Sequence, residues 1–138
     1  MMRAAFGHLL AIAGIVSSLA WGTTAARPDP PWKMDEQMAQ RLAAEGYDHG
    51  VEEKWFDFDP GMGRPFFVFY GLTESDGSFG YFAVNPWTGD VWALWGCRKL
   101  STPVLRRSQA EIRRRFTREE LKHYPRLARL KPECIVGD

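Results

Sequence analysis

The chain has 138 residues, of which 45% are hydrophobic, 14% aromatic and 25% charged. That size and balance suit one globular domain; they exclude a multidomain machine, a collagen-like repeat and a disordered tail protein. A formal net charge of +1 gives no reason to expect a nucleic-acid partner.

Residues 1–26 differ from the rest. Arg3 is their only charged side chain, an apolar run from Leu9 to Trp21 follows it, and Thr24-Ala25-Ala26 forms a small-residue exit before Arg27. A charged start, a short apolar core and a small-residue end are the parts of a cleaved secretory signal peptide. A core of about 13 residues is short for roughly 30 Å of hydrocarbon. The rival reading is an uncleaved anchor. Cleavage would leave no integral membrane segment and would place the protein in the periplasm or outside the cell.

Three prolines in Arg27-Pro-Asp-Pro-Pro31 predict a stiff, extended leader over 27–33, ahead of a single α+β domain over 34–138. Met34, Met38 and Leu42, with Ala39 and Ala43, recur at helical spacing, so a helix is expected from Asp35, with Gly46 as its stop. The segment from Trp55 to Trp95 is rich in aromatics and reads as a strand meander. Lys54 to Asp59 alternates, Pro60 to Gly63 turns, and Phe66 to Tyr70 is a continuous apolar strand. Glu74 to Ser78 reads as a hairpin loop and Phe79 to Val84 as a strand. Asn85 to Asp90 reads as a turn and Val91 to Trp95 as the closing strand. In Thr88-Gly89-Asp90, Gly89 is expected to take the positive φ of a tight turn.

The last third reads as helical and basic. Ser108 to Glu111 and Thr117 to Glu120 are both capping-box patterns, which predicts two short helices, with Pro125 ending or kinking the second. The fold class that follows is α+β. An N-terminal helix packs on a three- to four-stranded antiparallel sheet, and two short basic helices follow it.

The run Tyr81-Phe-Ala-Val-Asn-Pro-Trp-Thr-Gly-Asp-Val-Trp92 resembles the end of a PepSY-type domain. There a strand ends in Asp or Asn, a short turn carries Thr-Gly-Asp/Glu, and a β-branched residue opens the next strand. The helix expected upstream fits the family's order, and the resemblance spans roughly residues 34–95. It implies an exported module that binds or inhibits, often a peptidase.

Candidate chemistry is sparse. Cys97 and Cys134 make an even pair, which in an exported chain argues for a disulfide. Neither has the spacing of a zinc site with His49 or His123, so no metal is expected. Asp57 and Asp59 precede a glycine turn, but position twelve of a calcium loop counted from Asp57 would be Val68. Glu52, Glu53, Asp57 and Asp59 are the candidate acids if the chain is a small cell-wall hydrolase. No nucleophile elbow or phosphate loop is present, and no cofactor is expected.

The charge distribution is the sharpest signal. Residues 27–94 carry 5 basic and 12 acidic side chains, and residues 95–138 carry 12 basic and 5 acidic. Such a split either packs one half against the other or steers an oppositely charged partner. Arg106, Arg107, Arg113, Arg114, Arg115 and Arg118 crowd the basic half. With Ile112 and Phe116 facing the core, Arg113, Arg114 and Arg118 are expected on the open face, with Arg115 flanking the apolar stripe. The function expected is non-catalytic binding of a protein with an acidic surface, such as a hydrolase, peptidase or toxin, in the manner of an inhibitor or immunity protein. An envelope domain that uses an aromatic sheet face is the other class.

Overall fold

A computed structural model of the chain describes residues 27–47, 54–75 and 77–135. The signal peptide expected over 1–26 lies outside them, as do His49, Glu52 and Glu53.

Helix α1 spans Glu36–Gly46. Asp35 caps it, its Oδ1 accepting from the Met38 N–H at 2.8 Å, and Glu36 adds negative charge to the first turn. Ala39, Leu42, Ala43 and Gly46 form its buried stripe. Gly46 is the last helical residue, and its bare Cα lets Val91, Leu100 and Leu105 close against the helix end.

The sheet is a plain antiparallel meander in the order β1-β2-β3-β4-β5, with β1 at Lys54–Phe58, β2 at Phe67–Thr73, β3 at Gly77–Val84, β4 at Val91–Ala93 and β5 at Arg98–Lys99. The fifth strand exceeds the sequence expectation; two residues are too few to show a pattern. The register shifts between Gly71 and Leu72, a bulge that lets Phe79 lie over Gly71.

One sheet face presents Phe56, Phe69, Phe82, Val84 and Val91 to Leu42 of α1 and to Leu105 and Ile112 of helix α2, which spans Pro103–Arg114. Phe69, Phe82, Leu42, Leu105 and Ile112 are almost fully buried, each contributing about 1.5–3 kcal/mol of hydrophobic stabilisation. The opposite face carries a second cluster, Phe66, Val68, Ala83 and Leu94, under Leu130 and Ile135. Its cover is the segment after the last helix rather than the basic helices. The Ile135 N–H donates to the Leu94 carbonyl at 3.2 Å, and Ile135 bridges Trp95 in parallel.

The disulfide joins Cys97 to Cys134, with Cα atoms 5.4 Å apart. Cys97 lies in the turn between β4 and β5 rather than after the last strand. The bridge therefore holds the covering segment on the second cluster.

Three details of the C-terminal third correct the sequence reading. Helix α2 starts five residues before Ser108. Thr102 is its N-cap and accepts from the Leu105 N–H at 3.1 Å, and Pro103 occupies the first turn, where a missing N–H costs nothing. Ser108 is mid-helix and donates its hydroxyl to Glu45 at 2.7 Å. The Thr117–Glu120 box does form: the Thr117 N–H donates to Glu120 Oε2 at 2.7 Å and the Glu120 N–H to Thr117 Oγ1 at 3.2 Å. It opens only a 3-10 turn, Glu120–Lys122. Pro125 then lies in the first turn of α3, Tyr124–Leu127, which it helps to start rather than end.

The Asn85–Asp90 turn ties these parts together. Asn85 is fully buried. Its side-chain oxygen accepts from the Trp87 N–H at 2.9 Å and the Thr88 N–H at 3.2 Å, and its Nδ2 donates to the Leu127 carbonyl at 2.9 Å. Trp87 reaches the leader, its Nε1 donating to the Pro30 carbonyl at 2.7 Å. Gly89 has φ +74°, as its place in the turn requires. The proline-rich leader is thereby packed on the domain; Asp29 also pairs with Arg126, and Lys33 with Glu120 at 2.7 Å.

Candidate protein-binding surface

Helix α2 turns about 100° per residue, so its buried stripe of Leu105 and Ile112 fixes what faces out. Arg106, Arg107, Ala110, Arg113 and Arg114 are all exposed on the remaining surface. Arg113 and Arg114 occupy the last turn, where cations offset the negative end of the helix dipole. Arg118 is exposed in the loop that follows.

Two of these arginines are oriented by neighbours. The Arg113 guanidinium lies over the Tyr124 ring at 4.9 Å, a cation–π contact that steadies it while leaving its charge at the surface. Burial raises the pKa of the Tyr124 phenol and the Asp90 charge adds to that, while Arg113 opposes both. Arg106 donates to Ser101 Oγ at 3.0 Å. Arg113 and Arg114 edge a shallow depression of about 470 Å³ floored by Ala110, Phe116 and Leu121. Leu121 is 38% exposed, an apolar spot beside the charges. Arg115 turns away and donates to the Lys33 carbonyl at 2.8 Å.

Among the described residues, no ion pair involves Arg106, Arg107, Arg113, Arg114, Arg115 or Arg118. The acidic half meets the basic half elsewhere, at Arg126–Asp29 and at Lys99–Asp90, 2.9 Å apart. The three arginines expected on the open face are therefore exposed and, among the described residues, without a carboxylate partner. Leu121 and Tyr124 read in the sequence only as the apolar positions after the second capping box, not as residues that shape this surface. A ring four residues beyond a capping box carries no mark of which arginine it will support.

The other candidates are dispersed. Asp57 is exposed on β1, and Asp59 Oδ1 accepts from the Gly61 N–H at 3.0 Å, a local turn bond. His123 follows the 3-10 turn, its N–H bonded to the Glu120 carbonyl. Among the described residues, no group of three or more His, Cys, Asp or Glu could hold a metal ion. No helix among them is long and apolar enough to cross a membrane. On the outer sheet face, Trp55 and Trp95 are 42% and 50% exposed, and Tyr70 and Tyr81 pack at 4.7 Å.

No protein-family model and no curated protein matches the chain. A chain from a type VI secretion system effector–immunity complex of Pseudomonas protegens is 17% identical, with a TM-score of 0.48, over 68% of this chain and 88% of that one.

Proposed function

We propose that the chain is an exported, non-catalytic binding module of the inhibitor or immunity type, whose α2 surface docks on an acidic face of a hydrolase, peptidase or toxin. The observation that carries this reading is the set of exposed arginines with no carboxylate partner among the described residues. Arg suits such a surface better than Lys, because its planar fork pairs carboxylates in bidentate fashion and is less strongly hydrated. Export is part of the proposal. It rests on the apolar run Leu9 to Trp21 with its small-residue exit, and it agrees with the disulfide. So is membership of a PepSY-like group, which rests on the Asn85 to Asp90 turn and its flanking strands.

The test is capture from periplasmic extract by immobilised wild type and by the triple variant Arg113→Glu, Arg114→Glu, Arg118→Glu, with folding checked by circular dichroism. A protein held by wild type and lost from the folded variant supports the reading. Identical capture by both overturns it. The envelope-ligand reading has its own support in the exposed Trp55 and Trp95 rings. It predicts capture that survives the triple variant and fails in a Trp55→Ala, Trp95→Ala variant.

A further inference from the structure

The sheet order leaves β1 as an edge strand. Backbone parity shows which of its groups are already used. Asp59 donates its N–H inward to the Val68 carbonyl at 2.8 Å, so alternate residues, Asp57 and Trp55, also bond toward β2. Lys54, Phe56 and Phe58 then direct their backbone groups away from the sheet. The Phe56 carbonyl confirms this direction, for it accepts from the Gln40 side chain of α1 at 2.5 Å.

Along this edge runs an open groove of about 650 Å³ between α1 and β1, lined among others by Gln40, Arg41, Lys54, Trp55 and Arg115. Its charge is one-sided. Lys54 and Arg115 spend hydrogen bonds on the Tyr47 and Lys33 carbonyls, yet neither has a carboxylate partner among the described residues. Arg41 is 3.5 Å from Glu45. Asp35 is the one acid in the lining, and its Oδ1 already caps α1. Trp55 adds an exposed indole, the side chain most often found as an interface anchor.

Edge strands invite unwanted pairing, and proteins blunt them with charge and covering side chains. Gln40 and Lys54 block β1 in this way against a neutral or basic strand. Against an acidic strand, Lys54 becomes a partner instead of a plug. We propose that this groove seats an extended acidic segment of the partner protein, which adds to the sheet beside β1 through the outward Phe56 N–H and the outward groups of Phe58, while Gln40 holds the Phe56 carbonyl. Its carboxylates pair with Arg41, Lys54 and Arg115. The inference takes from the proposed function only that the partner is a protein; the groove is separate from the open face of α2.

The experiment is an NMR titration of the full, isotopically labelled chain with an alternating Glu–Val octapeptide and its Lys–Val counterpart. The Glu–Val peptide is expected to shift the Phe56 and Phe58 amides and to slow their hydrogen exchange by about tenfold or more, as ladder hydrogen bonds do. The Lys–Val peptide should do neither. Arg41→Glu with Lys54→Glu should weaken binding by about tenfold or more, and Gln40→Ala, which frees the Phe56 carbonyl, should strengthen it a few-fold. The triple variant of α2 should bind the peptide as wild type does, so failure here leaves the α2 reading standing and the converse also holds. Unmoved Phe56 and Phe58 amides at millimolar Glu–Val peptide would overturn the proposal. So would equal binding of both peptides, or protection that grows with protein concentration alone, which would mark the edge as a contact between copies. A short polyphosphate giving the same shifts without amide protection would reduce the groove to a simple anion site.

Discussion

Replacing Gly89 separates two costs that share one residue. An L side chain at φ +74° meets the left-handed region, at about 1–2 kcal/mol. A Cβ there would also lie 2.7 Å from Ile112 Cδ1 and 3.3 Å from Leu42 Cδ1. Both neighbours are fully buried, so neither yields without disturbing the packing of α1 and α2, at about 1–3 kcal/mol more. Gly89→Ala should therefore cost about 2–5 kcal/mol, and the β-branched Gly89→Val at least as much. Gly77 is the internal control. Its φ is +72°, but a Cβ there meets nothing within 4 Å, so Gly77→Ala should show only the backbone cost. Urea unfolding followed by tryptophan fluorescence gives both values, and an unchanged m-value keeps the comparison clean. A cycle with Ile112→Val, which removes the offending methyl, should recover about 1 kcal/mol or more of the Gly89→Ala loss. If Gly89→Ala and Gly77→Ala agree within about 0.5 kcal/mol, the packing of the turn beneath α2 has been misread.

Three further outcomes follow from the same structure. Cys97→Ser and Cys134→Ser should each destabilise by about 2–5 kcal/mol, and denatured, unreduced protein should show no titratable thiol; two per chain would contradict the bridge. Asn85→Ala should cost about 3 kcal/mol or more, because it strands the Trp87 and Thr88 N–H groups in the interior and takes from the Leu127 carbonyl one of its two donors; a melt near wild type would refute the role of that turn. Lys33, and then the Thr117 N–H, hold the Glu120 carboxyl below its ordinary value of 4.5, so the pair supports the fold above that pH and is lost as pH falls through the lowered folded value. Wild type should therefore exceed Glu120→Gln in stability near neutrality and converge on it in acid; a gap that persists at low pH would show that ionisation is not the cause.

The parts of the fold legible in the sequence are those where local chemistry and tertiary packing agree. Asp35 is a good cap before a helical stripe, and it caps α1. The aromatic runs from Trp55 onward are too short and too β-branched for helices, and they form the meander. Legibility failed where two local signals competed. Ser108 to Glu111 has the letters of a capping box, but Thr102-Pro103 lies upstream. A helix begun there is already a turn and a half long at Ser108. Pro125 reads as an end or a kink from its neighbours alone, but its effect depends on its position in a helix, and its place in the first turn of α3 is a tertiary fact. The cover of the second sheet face is hidden for a similar reason: Leu130 and Ile135 carry no periodicity, and the disulfide, the Ile135–Leu94 backbone bond and packing across the chain place them. At the candidate site, the buried stripe through Ile112 is enough to turn Arg113 and Arg114 outward, whereas Arg118 is exposed because it lies in the loop beyond the helix. The Tyr124 ring under Arg113 and the edge groove beside Lys54 arise from pairings across the chain that no local pattern encodes.

The central claim is that exposed arginines on and just after α2 carry recognition by charge. The most direct measurement is the association rate of the captured partner with wild type and with the folded Arg113→Glu, Arg114→Glu, Arg118→Glu variant, at low and at high salt. Wild type should associate on the order of tenfold faster or more at low salt, and that advantage should shrink as salt screens the field. Equal association rates with unchanged salt dependence, together with loss of binding in variants of the acidic half, would place the recognition surface elsewhere and contradict the account.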